Sequence, residues 1–316
     1  MKINGFILAL LGAIVLAFLF PDALSKLPLK YIIDIGIGFI FFFYGLKLAP
    51  AEFKAGLLNY RSHILIQVTT FILFPLLTLV FIPFFEGGTR SDLWLSIFFL
   101  GVLPSTVSSS VVMVALAKGN LPTAIFNASI SGIIGIIATP FLLSIFMLKT
   151  GEFEIQTVIS KLLLQIMLPI ISGLLLQVWL GRIARRYSKQ LGLFDKGIII
   201  LIVYTSFSNS FNSGLFETVT FTDLLKIFGI VLTLFFVVYF SIGLACKKMG
   251  INLKDRITIQ FCGTKKSLVH GSVMMKIIFG ASASAGLFLL PIMLYHIFQL
   301  LMISVFAERY GNRIDG

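Results

Sequence analysis

Two adjacent lysines, Lys265 and Lys266, lie in a stretch that is otherwise apolar enough to enter a membrane. An ionisable side chain at membrane depth costs roughly 3 kcal/mol on insertion scales, so it usually marks a transport path or a binding site. Counted from Arg256 at about 1.5 Å per residue, Lys265 lies about 14 Å along a helix, near the middle of a hydrocarbon core about 30 Å thick. The alternative leaves both lysines in a loop before a span that starts at Ser267.

A second polar interruption lies about half the chain earlier, at Pro104. The hydroxyl residues after it are Ser105, Thr106, Ser108, Ser109 and Ser110. Proline lacks a backbone donor and disfavours helix at the residue before it. A half-helix that starts after the break would offer free N–H groups and a partial positive charge to an anion. The alternative is a serine-rich face along which two helices approach closely.

The composition is that of a polytopic helical membrane protein, because 58% of the 316 residues are hydrophobic and only 12% are charged. Ten apolar runs are candidate spans, at residues 5–20, 31–49, 62–83, 93–117, 122–147, 157–180, 194–214, 224–246, 257–279 and 284–307. The first run resembles a signal peptide without a clear cleavage site, so we interpret it as an uncleaved first helix. The sequence lacks a phosphate-binding loop, HExxH, Gly-x-Ser-x-Gly and paired deep acids, and therefore predicts neither an ATP-driven pump nor an enzyme.

The net charge of +12 comes from lysines and arginines in short loops, without the basic and aromatic stretches of a nucleic-acid binder. Segments on the side of the N-terminus hold sixteen of these residues, and segments on the other side hold seven. The positive-inside rule therefore predicts that both termini are cytoplasmic. We expect an integral protein of a bacterial inner membrane whose partners are the lipid bilayer and a small substrate, and the sequence leaves the oligomeric state open.

The two interruptions fall in the fourth and ninth of the ten spans, which divides the chain into five-span units at residues 1–150 and 151–316. An odd number of spans per unit forces the second unit to run upside down. The predicted fold is therefore an all-α membrane protein with ten transmembrane helices in two inverted five-helix repeats. In such carriers two discontinuous helices, here the fourth and ninth, cross near the midplane and bind substrate and ion.

Three segments resemble the SBF-like branch of the bile acid:sodium symporter family: residues 104–120, 261–271 and 290–310. The resemblance covers essentially the whole chain. It implies a panel domain of spans 1, 2, 6 and 7 and a core domain of spans 3–5 and 8–10. Movement of the core against the panel would give alternating access.

The chain departs from the sodium-coupled members of that family at their ion ligands. Their Glu-x-Gly-x-Gln-Asn motif places Phe261 at the Glu position, Lys265 at the Gln and Lys266 at the Asn. Their hydroxyl ligands on the fifth span fall at Ala124 and Ala128. Sodium needs oxygen ligands and is repelled by an ammonium group, so we predict a lysine-containing site in place of the sodium cage. Transport would be independent of sodium, either as uniport or linked to a proton, with no cofactor and no metal.

Candidate site residues fall into two groups. For ion coupling or the helix crossing they are Lys265, Lys266, Thr264, Gly263, Cys262, Ser108, Ser109, Ser110 and Asn127. For binding the substrate, a small organic anion, they are Ser105, Thr106, Ser267, His270, Asn209 and Asn212. A structural alternative pairs one lysine with a buried acid or with carbonyls of the fourth span, and makes His270 a packed histidine. Two other functions remain open: a sodium-coupled symporter with rearranged ion ligands, and a membrane regulatory protein without transport.

Overall fold

The computed structural model describes residues 5–48, 59–106, 108–147, 155–280, 282 and 284–312, with the side chains of residues 90, 108 and 155 outside this description. The described residues form helices joined by turns and contain no β-strand. The helices are α1 (Gly5–Leu19), α2 (Leu29–Lys47), α3 (Tyr60–Leu79), α4 (Asp92–Val102), α5 (Ser108–Leu116), α6 (Leu121–Met147), α7 (Gln156–Arg186), α8 (Ser188–Asn212), α9 (Phe221–Lys248), α10 (Leu253–Thr264), α11 (Leu268–Phe279) and α12 (Ala285–Gly311).

Among the described helices, seven are long and apolar enough to cross a membrane: α2, α3, α6, α7, α8, α9 and α12. Helices α1 and α4 are shorter but apolar. This architecture is that of an all-α membrane protein, as predicted. The two interrupted spans each consist of two short helices, α4 with α5 and α10 with α11. The number of ten spans and the inverted repeat stay predictions.

Hydrogen bonds gather the helix ends into two groups. At one end, the amides of Asn59 and Asn120 each donate to Asp255 Oδ1 at 2.7 Å. At the other end, Asn212 donates to Asp22 Oδ1 at 3.1 Å, and Ser284 bonds Asp92. Successive spans cross a membrane in opposite directions, so each loop is assigned to one side. The loops that are assigned to the same side therefore lie together in the structure. Which end faces the cytoplasm stays a prediction.

Both α3 and α7 contain one π-helical turn, Thr69–Leu73 and Leu163–Met167, just before Pro75 and Pro169. Proline cannot supply the N–H that an α-helical turn needs at this point, so the turn widens. In α3 the N–H of Phe74 donates to Thr69 O. The carbonyl of Thr70 is left without a helical partner, and it becomes part of the site described below.

Helix α2 packs closely against α7 through two glycines, Gly45 and Gly173. A Cβ atom at Gly45 would lie 3.1 Å from Gly173 Cα, and one at Gly173 would collide with the carbonyl oxygen of Phe42. Small residues let helices approach in a membrane, where van der Waals contact takes over from the hydrophobic effect. The α2–α7 pair therefore depends on these glycines.

We predict that Gly173→Ala lowers the melting temperature of the detergent-solubilised protein by several degrees, because the added methyl group overpacks the contact at a cost of about 1–3 kcal/mol. The matched control is Gly38→Ala on α2, where a Cβ would meet nothing within 4 Å. Alanine favours helix over glycine, so this control should melt unchanged or slightly higher. Equal melting of the two variants would contradict the packing argument.

Candidate functional site

The two helix breaks touch each other. Helix α4 ends at Val102 and Leu103 is extended, with φ −69° and ψ 150°. Helix α10 ends at Thr264 and Lys265 is extended, with φ −80° and ψ 142°. The N–H of Ser267 donates to the carbonyl of Pro104 at 3.0 Å and so joins one break to the other. The structure thus brings together two segments that lie half the chain apart in sequence.

Pro104 accounts for the first break locally, and two hydroxyl groups of α6 complete its hydrogen bonds. Thr139 donates to Val102 O at 2.8 Å, and Ser105 N donates to Ser131 Oγ at 2.9 Å. The Ser105 hydroxyl donates to Cys262 O at 2.6 Å, in the last turn of α10. Ser105, a predicted substrate ligand, is therefore occupied in holding the two breaks together.

The second break has no proline and is imposed by α12. The side-chain amide of Gln299 pairs with both backbone groups of Lys266: Lys266 N donates to Oε1, and Nε2 donates to Lys266 O, each at 2.8 Å. The Tyr295 hydroxyl donates to Thr264 O at 2.7 Å. Ser267 then caps α11, because its hydroxyl accepts the N–H of His270 at 3.2 Å. A buried break requires this complete pairing, since lipid supplies no hydrogen bonds.

The Lys266 ammonium group is held by three carbonyl oxygens. Its Nζ donates to Gly101 O at 2.6 Å, Leu103 O at 2.8 Å and Thr70 O at 2.9 Å. Nζ also lies 4.2 Å from the centre of the Phe74 ring, a cation–π contact. Three such bonds use all three hydrogens of an ammonium group, and a neutral amine has only two. The site is the carboxyl end of α4, where free carbonyls and the helix dipole favour a positive charge.

Lys265 is buried as completely as Lys266 but is bound differently. Its exposed fraction is 0%, and its Nζ has no hydrogen-bond partner among the described residues. Successive side chains of an extended segment point to opposite sides, so Lys265 points away from the carbonyl site of Lys266. It lies within electrostatic range of Cys262 and of His296 on α12. The sequence predicted two deep lysines, and the structure distinguishes them: Lys266 Nζ has three acceptors, whereas Lys265 Nζ has none among the described residues.

The other residues predicted for the crossing are only partly engaged. Thr264 Oγ1 and Ser110 Oγ are buried without a partner in the described part of the chain. Ser109 bonds Thr106, which was predicted to bind the substrate, at 3.2 Å. A Cβ at Gly263 would lie 3.3 Å from the Thr69 side chain, so α10 packs tightly on α3 there. Ser108 begins α5, but its side chain lies outside the described residues. Asn127 lies in a separate polar group and bonds His63, Gln67 and Thr123.

His270 lies where α11 meets α2. Its Nδ1 is 3.0 Å from Ser267 Oγ, and its Nε2 is buried without a partner in the described residues. The rings of Phe41 and Tyr44 on α2 pack edge-on against the imidazole, at 5.5 and 6.3 Å between centres. Tyr44 also donates to Ser129 O on α6 at 3.1 Å. Sequence reasoning did not single out Tyr44, because a tyrosine in an apolar helix is ordinarily a packing residue.

Helix α8 contributes less to the site than predicted. Asn212 is exposed and bonds Asp22 at the helix end, and Asn209 is half-buried. Ser206 and Ser208, one turn earlier, are buried with hydroxyl groups that have no partner in the described ranges. In this part of α8 the buried polar side chains are therefore serines and not the predicted asparagines.

Asp255, also missed from the sequence, ties three helix starts together. Its carboxylate accepts the amides of Asn59 and Asn120 and, at 2.6 Å, that of Asn252. The amide oxygens are used in turn by Ser62 Oγ, Thr123 N and Asp255 N. The spacing Asn252-x-x-Asp255, a helix cap, was the available signal. Across the described residues, no group of three His, Cys, Asp or Glu could hold a metal ion.

Comparison with known proteins gives matches along nearly the whole chain. Residues 4–312 match the SBF-like CPA transporter family. An uncharacterized protein of Pseudomonas aeruginosa is 36% identical over 99% of this chain and 94% of that protein. The protein named "Putative symporter YfeH" of Escherichia coli is 32% identical over the same shares. Sodium/bile acid cotransporter 7 of Rattus norvegicus is 29% identical over 86% of this chain and 80% of its own length. The predicted resemblance is confirmed, and with it the expectation of a transporter and not an enzyme.

We predict that Gln299→Leu destabilises the protein by about 3 kcal/mol or more, because it leaves the buried N–H and C=O of Lys266 unpaired. Unfolding followed by circular dichroism in denaturant would measure the change. Gln299→Glu, whose protonated carboxyl keeps one donor and one acceptor with altered geometry, should fall between wild type and Gln299→Leu. The exposed Gln190→Leu is the control. A Gln299→Leu protein as stable as this control would show that the second break does not depend on α12.

Proposed function

This chain belongs to the SBF-like CPA transporter family, and from that premise we propose that it is a secondary carrier that moves a small organic anion by alternating access without sodium. The family and the apolar helices make it an integral membrane transporter. The proposal adds the class of substrate, the absence of sodium coupling and the lysine site.

The proposed architecture is ten spans in two inverted repeats, residues 1–150 and 151–316. The panel domain would consist of α1, α2, α7 and α8, and the core domain of α3–α6 and α9–α12. Two features support this division: α2 packs mainly on α7, and α1 packs mainly on α8. The broken helices meet inside the proposed core, so the core could move against the panel with its site intact.

The observation that carries the sodium-free proposal is the carbonyl site of Lys266. Carbonyl oxygens freed by a helix break are ligands that a hard cation would use. Here the oxygens of Gly101, Leu103 and Thr70 are within 2.9 Å of a side-chain ammonium group. A tethered cation that cannot leave would take the structural place of an ion and would not be carried across. Phe261, buried and apolar, removes the carboxylate that would make a second cation favourable.

The proposed substrate class follows from the charge of the site and from the relatives. Both break lysines can carry a positive charge, and within the described ion pairs neither has a carboxylate partner. One relative's name refers to bile acids, which are organic anions. A carboxylate or sulfonate on an apolar body would match the positive breaks and the aromatic contact between α2 and α11.

Uptake of labelled taurocholate, a bile-acid probe, into proteoliposomes should be the same with sodium or potassium outside, because Lys266 already supplies the cation of the site. The matched control is liposomes without protein. Uptake by the wild-type protein that requires sodium would contradict the sodium-free mechanism. If the protein causes no uptake of taurocholate in either salt, the proposal that its substrate resembles a bile acid would be contradicted.

Removal of the tethered cation should make the folded protein sensitive to sodium. Lys266→Ala leaves three buried carbonyl oxygens without donors and should lower the melting temperature, at a cost of about 1–3 kcal/mol per unpaired group. Sodium chloride at roughly 100 times its dissociation constant would return about 2.7 kcal/mol. Choline chloride at equal ionic strength should not. Wild type, and Lys276→Ala on α11, should respond equally to both salts.

A further inference from the structure

We infer that the two lysines have separate tasks: Lys266 keeps the two breaks together throughout transport, whereas Lys265 is the residue that pairs with the transported anion when the site opens to water. This inference rests on the proposed carrier function and assigns its substrate charge to one side chain.

The bonds of Lys266 leave it nothing to offer a substrate. Its three hydrogens are directed to Gly101, Leu103 and Thr70, and the Phe74 ring covers a further side. A substrate that bound this ammonium would have to break bonds that also complete the ends of α3 and α4. Those carbonyls would then be unpaired in a buried site, which is costly for each group.

Lys265 has the opposite arrangement. Its ammonium is fully buried and has no acceptor among the described residues, and an isolated charge in an apolar interior is strongly disfavoured. A carboxylate, sulfonate or phosphate would supply the acceptor that Lys265 lacks, whereas a cation would be repelled. The site chemistry therefore selects an anion, with Lys265 as its counter-charge.

The route to Lys265 would follow the same break. Ser267 lies two residues further on and bonds His270, whose Nε2 is unpartnered in the described residues. His270 packs on Phe41 and Tyr44 of α2, so this contact lies between the two proposed moving bodies. Separation of α2 from α11 would expose His270 first and then the extended residues of the break. Lys266 points away from that route, into the carbonyl site.

Cysteine accessibility tests this order without a known substrate. The background carries Cys246→Ala and Cys262→Ala, which remove the two native thiols. Single cysteines are then placed at Lys265, Lys266, His270 and Ser208 and treated in proteoliposomes with MTSES, an anionic membrane-impermeant thiol reagent. Gln190→Cys on the exposed turn and Trp94→Cys in the core give the upper and lower limits of labelling.

We expect Lys265→Cys and His270→Cys to be labelled and Lys266→Cys to stay at the level of Trp94→Cys. The anionic reagent should react with His270→Cys about tenfold faster than the cationic reagent MTSET, because Lys265 makes the cleft positive and a positive cleft concentrates anions. Adding Lys265→Met to His270→Cys should abolish this preference. Labelling at His270 and Ser208 without labelling at Lys265 would overturn the inference and leave the carrier proposal standing. No labelling at any of the three would overturn the carrier proposal itself.

Stability separates the two lysines independently of labelling. Lys266→Met should lower the melting temperature clearly, since it removes three hydrogen bonds, whereas Lys265→Met should match or exceed wild type, since it removes an unpaired buried charge. Equal destabilisation by the two substitutions would show that Lys265 also holds the fold, and would overturn the division.

Discussion

The structure depends on one ammonium group placed among backbone carbonyls. Breaking a helix inside a membrane frees polar groups that lipid cannot satisfy. Lys266 satisfies three of them, and these come from two helices, α3 and α4, while the lysine itself lies in the break after α10. The Lys266 side chain therefore pairs carbonyl groups at the first break and the carbonyl freed by the π-helical turn of α3. It thereby holds the second break against α3 and α4. A hydrophobic residue of similar length would fill the space and leave the carbonyls unpaired.

The rest of the site is a set of reciprocal arrangements around that contact. Ser105 reaches from the first break to the last turn of α10, and Ser267 reaches back to Pro104. Gln299 replaces the helical bonds of Lys266 with an amide pair of the kind found between strands. Since each break supplies partners to the other, neither would be stable alone in the apolar interior. Their mutual dependence explains why two segments so far apart in sequence are both polar.

Sequence reasoning reached the parts of this arrangement that have local causes. Hydropathy predicted the long apolar helices, Pro104 predicted the first break, and the lysines predicted a polar point deep in the protein. One hypothesis paired a lysine with carbonyl groups of the fourth span, and Lys266 forms these hydrogen bonds. The partners Gln299, Tyr295 and Thr70 could not be predicted, because their roles depend on how α12 and α3 pack against the breaks. Nor could the sequence distinguish Lys265 from Lys266, since adjacent residues share every local property and differ here only in which way an extended backbone turns them.

The carboxylate of Asp255 has a mechanical consequence. It binds the starts of α3, α6 and α10, two of which belong to the first half of the chain and one to the second. Three amide donors bind this carboxylate, and among the described ion pairs it has no cationic partner. The two halves of the chain are therefore connected at one end of the helices by Asp255 and again by the contact between the two breaks. These connected helices have little freedom to slide past one another. In the proposed transport cycle, a large displacement would therefore occur outside these connected helices, for example where α2 contacts His270.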